Sequence, residues 1–174
     1  MNTLFYAGMF SYAFFLLRAQ SLGLATGNVP LIYLLYNIVY ALASMPMGGL
    51  SDSIGRKPVI LLAYFSYAVL CLGFAVASRM WHAWALFALY GIHSATVNPA
   101  SRALVASLSR KRSRATALGV YHTSVGVAAL PASLAAGVLW DRYGAAAPFF
   151  LGGALALAAS IMMLGLSIDG QNTR

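Results

Sequence analysis

The chain has 174 residues, of which 61% are hydrophobic and 8% are charged, and its formal net charge is +8. A soluble domain carries about 25% charged residues, so this composition cannot cover a water-exposed surface and excludes an ordinary soluble fold. The mean hydropathy of +0.78 extends along the whole length. A lipid bilayer is therefore the expected surrounding of nearly every segment.

The chain divides at its charges and turn residues into six apolar segments, and a helix needs roughly 20 such residues to cross a bilayer core. In chain order the predicted helices occupy residues 3–20, 30–50, 58–78, 84–108, 115–140 and 147–168. The connections are too short to form domains outside the membrane. The sequence thus predicts an all-α, polytopic transmembrane bundle of six helices, with residues 1–174 in one domain.

The positive charge is concentrated in two short clusters between apolar segments. One cluster is Arg56-Lys57 and the other runs from Arg110 to Arg114. A basic patch is typical of nucleic-acid binding, but short basic clusters between long apolar segments are typical of cytoplasmic loops. We therefore expect no nucleic-acid partner. Cys71, the one cysteine, gives neither a disulfide framework nor a metal-binding spacing, so no metal and no cofactor are expected.

The loops at alternate ends of the segments differ in their content of Lys and Arg. With both termini in the cytoplasm, the inside loops hold both basic clusters, whereas the outside loops hold Arg18, Arg79 and Arg142. This bias predicts a multi-pass protein of the inner (plasma) membrane with both termini cytoplasmic. Arg18 ends the first segment and is expected to extend to the membrane interface.

A compact motif lies between the second and third segments, on the predicted cytoplasmic side. It is Gly48-Gly-Leu-Ser-Asp52-Ser-Ile-Gly55-Arg56-Lys57. Gly48 allows a neighbouring helix to approach closely, and Gly55 allows a tight reversal of the chain. Asp52 can accept hydrogen bonds at a helix N-terminus or pair with a cation, while Arg56 and Lys57 face water and anionic head groups. The alternative is a simple turn whose charges set the topology.

A second copy of this pattern closes the fifth segment, at Gly137-Val-Leu-Trp-Asp141-Arg142-Tyr-Gly144. The two copies share both glycines, the leucine and the aspartate. Three segments separate them, so they lie on opposite sides of the membrane, as an inverted three-plus-three repeat requires. The alternative is a chance match or a shared turn requirement.

The first copy resembles the signature between the second and third helices of each half of a major facilitator superfamily transporter. The family pattern has a basic residue where Ser53 stands. Residues 98–102 and 114–119 also resemble the C-terminal half of bacterial members. The resemblance covers nearly the whole chain. It implies helices seven to twelve of a twelve-helix transporter, in which the signature loop latches one half against the other.

Polar side chains inside the segments are candidates for lining a solute pathway, because polar groups in lipid cost free energy and tend to face a cavity or a partner helix. They recur at helical spacing in the second and fourth segments. The candidates are Tyr33, Asn37, Tyr40, Asn98, Arg102 and His122. The alternative is that such side chains only bond neighbouring helices, a contribution of about 0.6 kcal/mol each.

The resemblance implies secondary active transport of an unassigned small-molecule substrate by alternating access. The partner would be a second six-helix half, either a separate chain or a second copy. No GxxxxGK[ST] loop is present, so no direct use of ATP is expected. Three acidic residues and no paired catalytic motif argue against an enzyme. The alternative function is that of a non-transporting membrane subunit or a truncated transporter fragment.

Overall fold

The computed structural model describes residues 10–54 and 56–165, and in these parts of the chain all regular structure is helical. The α-helices are α1 Tyr12–Ser21, α2 Val29–Ile54, α3 Arg56–Val76, α4 Met80–Leu108, α5 Arg114–Tyr143 and α6 Ala147–Gly165. Short 3-10 turns at Thr26–Asn28 and Lys111–Ser113 lead into α2 and α5. The predicted all-α class is confirmed over the described residues.

The helices follow the order of the predicted segments, and several extend further than expected. Helix α4 begins at Met80 rather than at residue 84, and α5 continues to Tyr143 rather than ending at residue 140. Residues 3–9 of the first predicted segment and 166–168 of the last lie outside the described residues. The six membrane spans and the inverted repeat stay predictions.

Two stretches are long and apolar enough to cross a membrane, judged by length and composition alone. They are Thr26–Leu50, which contains most of α2, and Lys111–Tyr143, which contains α5, each with a mean hydropathy of 1.5. In both, 6% of the apolar stretch is buried within the chain. Apolar helix surface that the chain leaves uncovered requires lipid or another protein against it.

Packing within the bundle is uneven. Helix α2 packs along α4, and α3 packs along α6 and α4, whereas α5 contacts α4 and α6 more lightly. Gly91 permits the close approach of α4 to α2, because a Cβ at this position would lie 2.9 Å from the backbone oxygen of Tyr36 and 3.0 Å from Cβ of Val39. Close backbone approach through glycine is typical of helix contacts in membranes.

Aromatic rings in stacked and edge-to-face contact form the core where α1, α3, α4 and α6 meet. The ring of Phe15 is fully buried, and its centroid lies 5.0 Å from that of Tyr90, 5.1 Å from that of Phe74 and 5.3 Å from that of Phe149. Aromatic pairs at such distances contribute about 0.5–1.5 kcal/mol beyond area burial. These contacts embed α1 in the bundle.

Arg18 joins α1 to the C-terminal end of α3. Its Nε donates a hydrogen bond to the carbonyl oxygen of Phe74 at 3.0 Å. Its Nη2 donates to the carbonyl oxygens of Ala77 at 3.0 Å and Ala75 at 3.3 Å. The last carbonyls of a helix lack partners within the helix, and a cation there also suits the helix dipole. The side chain of Arg18 therefore caps the neighbouring helix α3. The sequence predicted only that this side chain extends to the membrane interface, and it did not indicate the cap.

Candidate functional site

Helix α2 carries two stripes of different character. Exposed apolar side chains recur at three- and four-residue spacing at Leu31, Leu34, Ile38, Leu42 and Met45. The candidates Tyr33, Asn37 and Tyr40 form a second stripe with Ser44, roughly 130° around the helix at about 100° per residue. This second stripe is termed the polar face of α2. It is separate from the apolar surface that suits lipid or a partner helix.

Five tyrosine rings come together where the polar face of α2 meets α1 and α4. They are Tyr12 of α1, Tyr33, Tyr36 and Tyr40 of α2, and Tyr90 of α4, termed the tyrosine cluster. The ring centroid of Tyr12 lies 5.7 Å from that of Tyr33 and 5.8 Å from those of Tyr36 and Tyr90. Tyr36 stacks on Tyr33 at 6.0 Å, on Tyr40 at 6.2 Å and on Tyr90 at 5.2 Å. The cluster therefore extends from the core to the surface of the bundle.

Ser94 joins the polar stripes of α2 and α4. It is buried, and its side chain interacts with the hydroxyl groups of Tyr36 and Tyr90. Asn98 and Arg102 follow at four-residue spacing, with Asn98 partly buried and Arg102 exposed. The structure thus links α4 to the tyrosine cluster through Ser94, and the assignment of Asn98 and Arg102 to a solute pathway stays a prediction. Tyr36 and Tyr90 were not among the residues predicted from the sequence. Helical spacing could have indicated them, because Tyr36 lies three residues after Tyr33 and Tyr90 lies four residues before Ser94.

His122 lies elsewhere, on α5. It is exposed, and its ring contacts that of its neighbour Tyr121 at a centroid distance of 5.2 Å. The ring contacts of the described residues do not join it to the tyrosine cluster. Its assignment to a solute pathway stays a prediction.

A buried histidine adjoins the cluster. His93 has its Nδ1 2.9 Å from Oγ of Ser66, and that hydroxyl donates to the carbonyl oxygen of Ala63 at 2.9 Å. A serine hydroxyl has one hydrogen, so Nδ1 donates to Oγ in the tautomer where that hydrogen serves Ala63, and accepts from Oγ in the other tautomer. Nε2 is buried without a hydrogen-bond partner among the described residues. The bond to Ser66 ties α4 to α3 beside the stacked ring of Tyr90.

The signature loop lies where α2 ends and α3 begins. Helix α2 continues through Asp52 to Ile54, and α3 begins at Arg56. Gly55 and the side chains of Asp52, Arg56 and Lys57 lie outside the described part of the chain, so the latch role stays a prediction. A Cβ at Gly48 would meet nothing within 4 Å in the described structure. A close approach at Gly48 therefore needs a helix from outside these residues.

The second copy of the pattern forms the end of α5. Gly144 has φ of 90°, and its N–H donates to the carbonyl oxygen of Trp140 at 3.0 Å. A glycine suits this position because side chains disfavour positive φ. Asp141 and Arg142 are exposed in the last turn, and a Cβ at Gly137 would lie in ordinary contact, 3.9 Å from Cζ of Phe14. A turn requirement thus accounts for the matching Gly144.

Comparisons with known proteins identify the family of this chain. A family model described as Major Facilitator Superfamily matches residues 1–171. The chain belongs to the major facilitator superfamily. Its relatives in the superfamily include the uncharacterized MFS-type transporter MJ1317 of Methanocaldococcus jannaschii, which is 41% identical over 94% of this chain and 42% of its own length. The multidrug resistance protein MdtG of Citrobacter koseri is 31% identical over 77% of this chain and 33% of its own length.

Membership of the major facilitator superfamily confirms the resemblance seen in the signature loop. The relatives named above are described as an MFS-type transporter and a multidrug resistance protein. The chain spans less than half the length of the curated relatives that it matches. More than half of each relative therefore lies outside the matched region.

Proposed function

We propose that this chain is one six-helix half of a transporter that moves a small organic solute across the inner membrane by alternating access. The observation that carries the proposal is the match of nearly the whole chain to the major facilitator superfamily. A route for the solute is supported by the polar face of α2, which lies apart from the exposed apolar stripe. The name of the relative MdtG, a multidrug resistance protein, supports an organic solute.

The second half is proposed to cover α2 and α5. These helices contain the two long apolar stretches that the chain leaves largely unburied. Glycines with open space at the Cβ position also lie on them, at Gly48, Gly49, Gly119 and Gly126. By contrast, a Cβ at Gly91 or Gly153 would meet atoms of a neighbouring helix. Open glycines on α2 and α5 suit close packing by the helices of another half.

We propose that the chain occupies the C-terminal position, helices seven to twelve, with both termini in the cytoplasm. The basic residues from Arg110 to Arg114 are exposed between α4 and α5, and they would then face the cytoplasm. In a Cys71→Ser background, a cysteine placed at Ser113 should react with a membrane-impermeant maleimide only in inside-out vesicles. Reaction in intact cells would contradict this orientation.

The chain is expected to transport only as part of a pair, because a lone half would present its polar face to lipid, where unsatisfied polar groups cost several kcal/mol. The experiment is to purify the chain, determine its mass in nanodiscs and measure the flux of fluorescent organic dyes into proteoliposomes. It is run with the chain alone and with a co-expressed complementary half.

We expect flux from a homodimer or from the two-half assembly. A monomer that transports would contradict the need for a second half. An assembled pair that moves none of the dyes, while binding them, would favour a non-transporting subunit.

A further inference from the structure

The tyrosine cluster reaches the surface of the bundle through two of its five residues, Tyr33 and Tyr40. The hydroxyl groups of Tyr36 and Tyr90 lie near Ser94, and that of Tyr12 is buried without a hydrogen-bond partner among the described residues. Tyr33 is 49% exposed and Tyr40 is partly exposed, each at one end of the ring stack through Tyr36. The reachable part of the cluster is therefore two aromatic rings supported from behind by three more.

Carboxylate groups are few in this chain. The three acidic residues of the sequence are Asp52, Asp141 and Asp169. The first two lie near the ends of α2 and α5, and Asp169 lies beyond the described residues. The amide of Asn37, beside the cluster, donates its Nδ2–H to the carbonyl oxygen of Tyr33 at 2.8 Å. A ligand here would meet aromatic rings rather than a carboxylate, with the second N–H of Asn37 as a neighbouring polar group.

We infer that the tyrosine cluster is a subsite for solutes that carry aromatic rings, which stack against Tyr33 and Tyr40. Aromatic rings prefer offset-stacked or edge-to-face partners with centroids 4.5–7 Å apart, the range of distances already present within the cluster. A bound ring would extend this stack by one member. The inference rests on the proposed transport function, since it assigns the substrate class of that route.

The position of the cluster favours a solute over lipid chains as the occupant. Tyr33 and Tyr40 lie on the polar face of α2, on the side that contacts Tyr12 of α1. The exposed apolar stripe that contains Leu42 lies on a different side of the same helix. An alkyl chain would gain nothing from stacking against Tyr33 and Tyr40, because a saturated chain has no ring.

Two monovalent cations of similar architecture, tetraphenylphosphonium and tetrabutylphosphonium, test the inference. Binding is measured on the assembled protein in nanodiscs. The unmodified protein should bind the phenyl probe at least about tenfold more tightly than the butyl probe. Tyr33→Leu should weaken binding of the phenyl probe about tenfold and leave the butyl probe unchanged, while Tyr33→Phe should retain binding of both.

Tyr143→Leu is the matched control, since Tyr143 is exposed at the end of α5, and it should bind both probes as before. Equal binding of the two probes by the unmodified protein would overturn the inference. Unchanged binding of the phenyl probe after Tyr33→Leu would also overturn it. If Tyr33→Phe weakened binding of the phenyl probe as much as Tyr33→Leu, the hydroxyl group rather than the ring would be responsible, and the inference would be wrong. If Tyr33→Leu weakens assembly of the two halves instead, the second half occupies the cluster and the inference is also wrong.

Transport is measured separately from probe binding, as the flux of dyes through the unmodified assembly. Flux that persists at the same rate in Tyr33→Leu for aromatic and aliphatic solutes contradicts only the aromatic subsite. Absence of flux in the unmodified assembly, with selective binding of the phenyl probe intact, contradicts the proposed function and leaves the subsite supported.

Discussion

Replacing Gly91 by valine is expected to destabilise the bundle by about 3 kcal/mol, at the upper end of the usual cost of overpacking a core. The added Cβ would lie 2.9 Å from the backbone oxygen of Tyr36 and 3.1 Å from the backbone nitrogen of Tyr40. These atoms belong to the α2 backbone and cannot rotate aside, so α2 and α4 would have to separate. The measurement is the thermal midpoint of monodisperse protein in detergent, followed by gel filtration after heating.

Gly126→Val is the control for this substitution. Gly126 also lies inside a long helix, but a Cβ there would meet nothing within 4 Å in the described structure. The thermal midpoint of the purified chain should therefore stay nearly unchanged. A larger loss from Gly126→Val than from Gly91→Val would show that α2 and α4 are not in close contact.

Arg18→Leu should also cost about 3 kcal/mol, because it removes the guanidinium group that caps α3. Hydrogen bonds to a charged group contribute about 1.5–3 kcal/mol, and partners left unsatisfied add to the loss. The carbonyl oxygens of Phe74, Ala75 and Ala77 lose this donor. The thermal midpoint reports the effect, and protease cleavage between α3 and α4 should accelerate.

Two further variants separate the cap from its charge. Arg142→Leu removes a cation that is exposed at the end of α5, and it should leave the midpoint nearly unchanged. Arg18→Lys should give an intermediate loss, because an ammonium group lacks the planar fork of donors that spans several carbonyls. Equal midpoints for Arg18→Leu and Arg142→Leu would contradict the capping role.

The sequence was sufficient to predict the helical class and the order of the helices. Apolar segments separated by charges are expected to form helices, because backbone polar groups in a bilayer must be hydrogen-bonded within the protein. The ends of the helices were less predictable. Helix α4 begins before its apolar stretch because Nδ1 of His82 accepts a hydrogen bond from the backbone N–H of Arg79 at 3.1 Å. Histidine is outside the usual Glu or Gln pattern of a capping box, so the pattern rules did not indicate this start.

The polar face of α2 was predictable because it depends on the periodicity of one helix. The contacts between helices were not. Tyr12 and Tyr90 join the cluster only through tertiary packing. The acceptors for Arg18 are backbone carbonyls, which every residue has and which therefore leave no signal in the sequence.

Site-specific photo-cross-linking in the membrane is the most direct test of the central claim, that a second half covers α2 and α5. A photoreactive residue is placed at Leu42 of α2 or Leu134 of α5, both 73% exposed, and for comparison at Phe65 of α3 or Ile161 of α6, also exposed. If a second half covers both helices, Leu42 and Leu134 give protein adducts, whereas Phe65 and Ile161 give lipid adducts. Lipid adducts alone from Leu42 and Leu134 would contradict that claim.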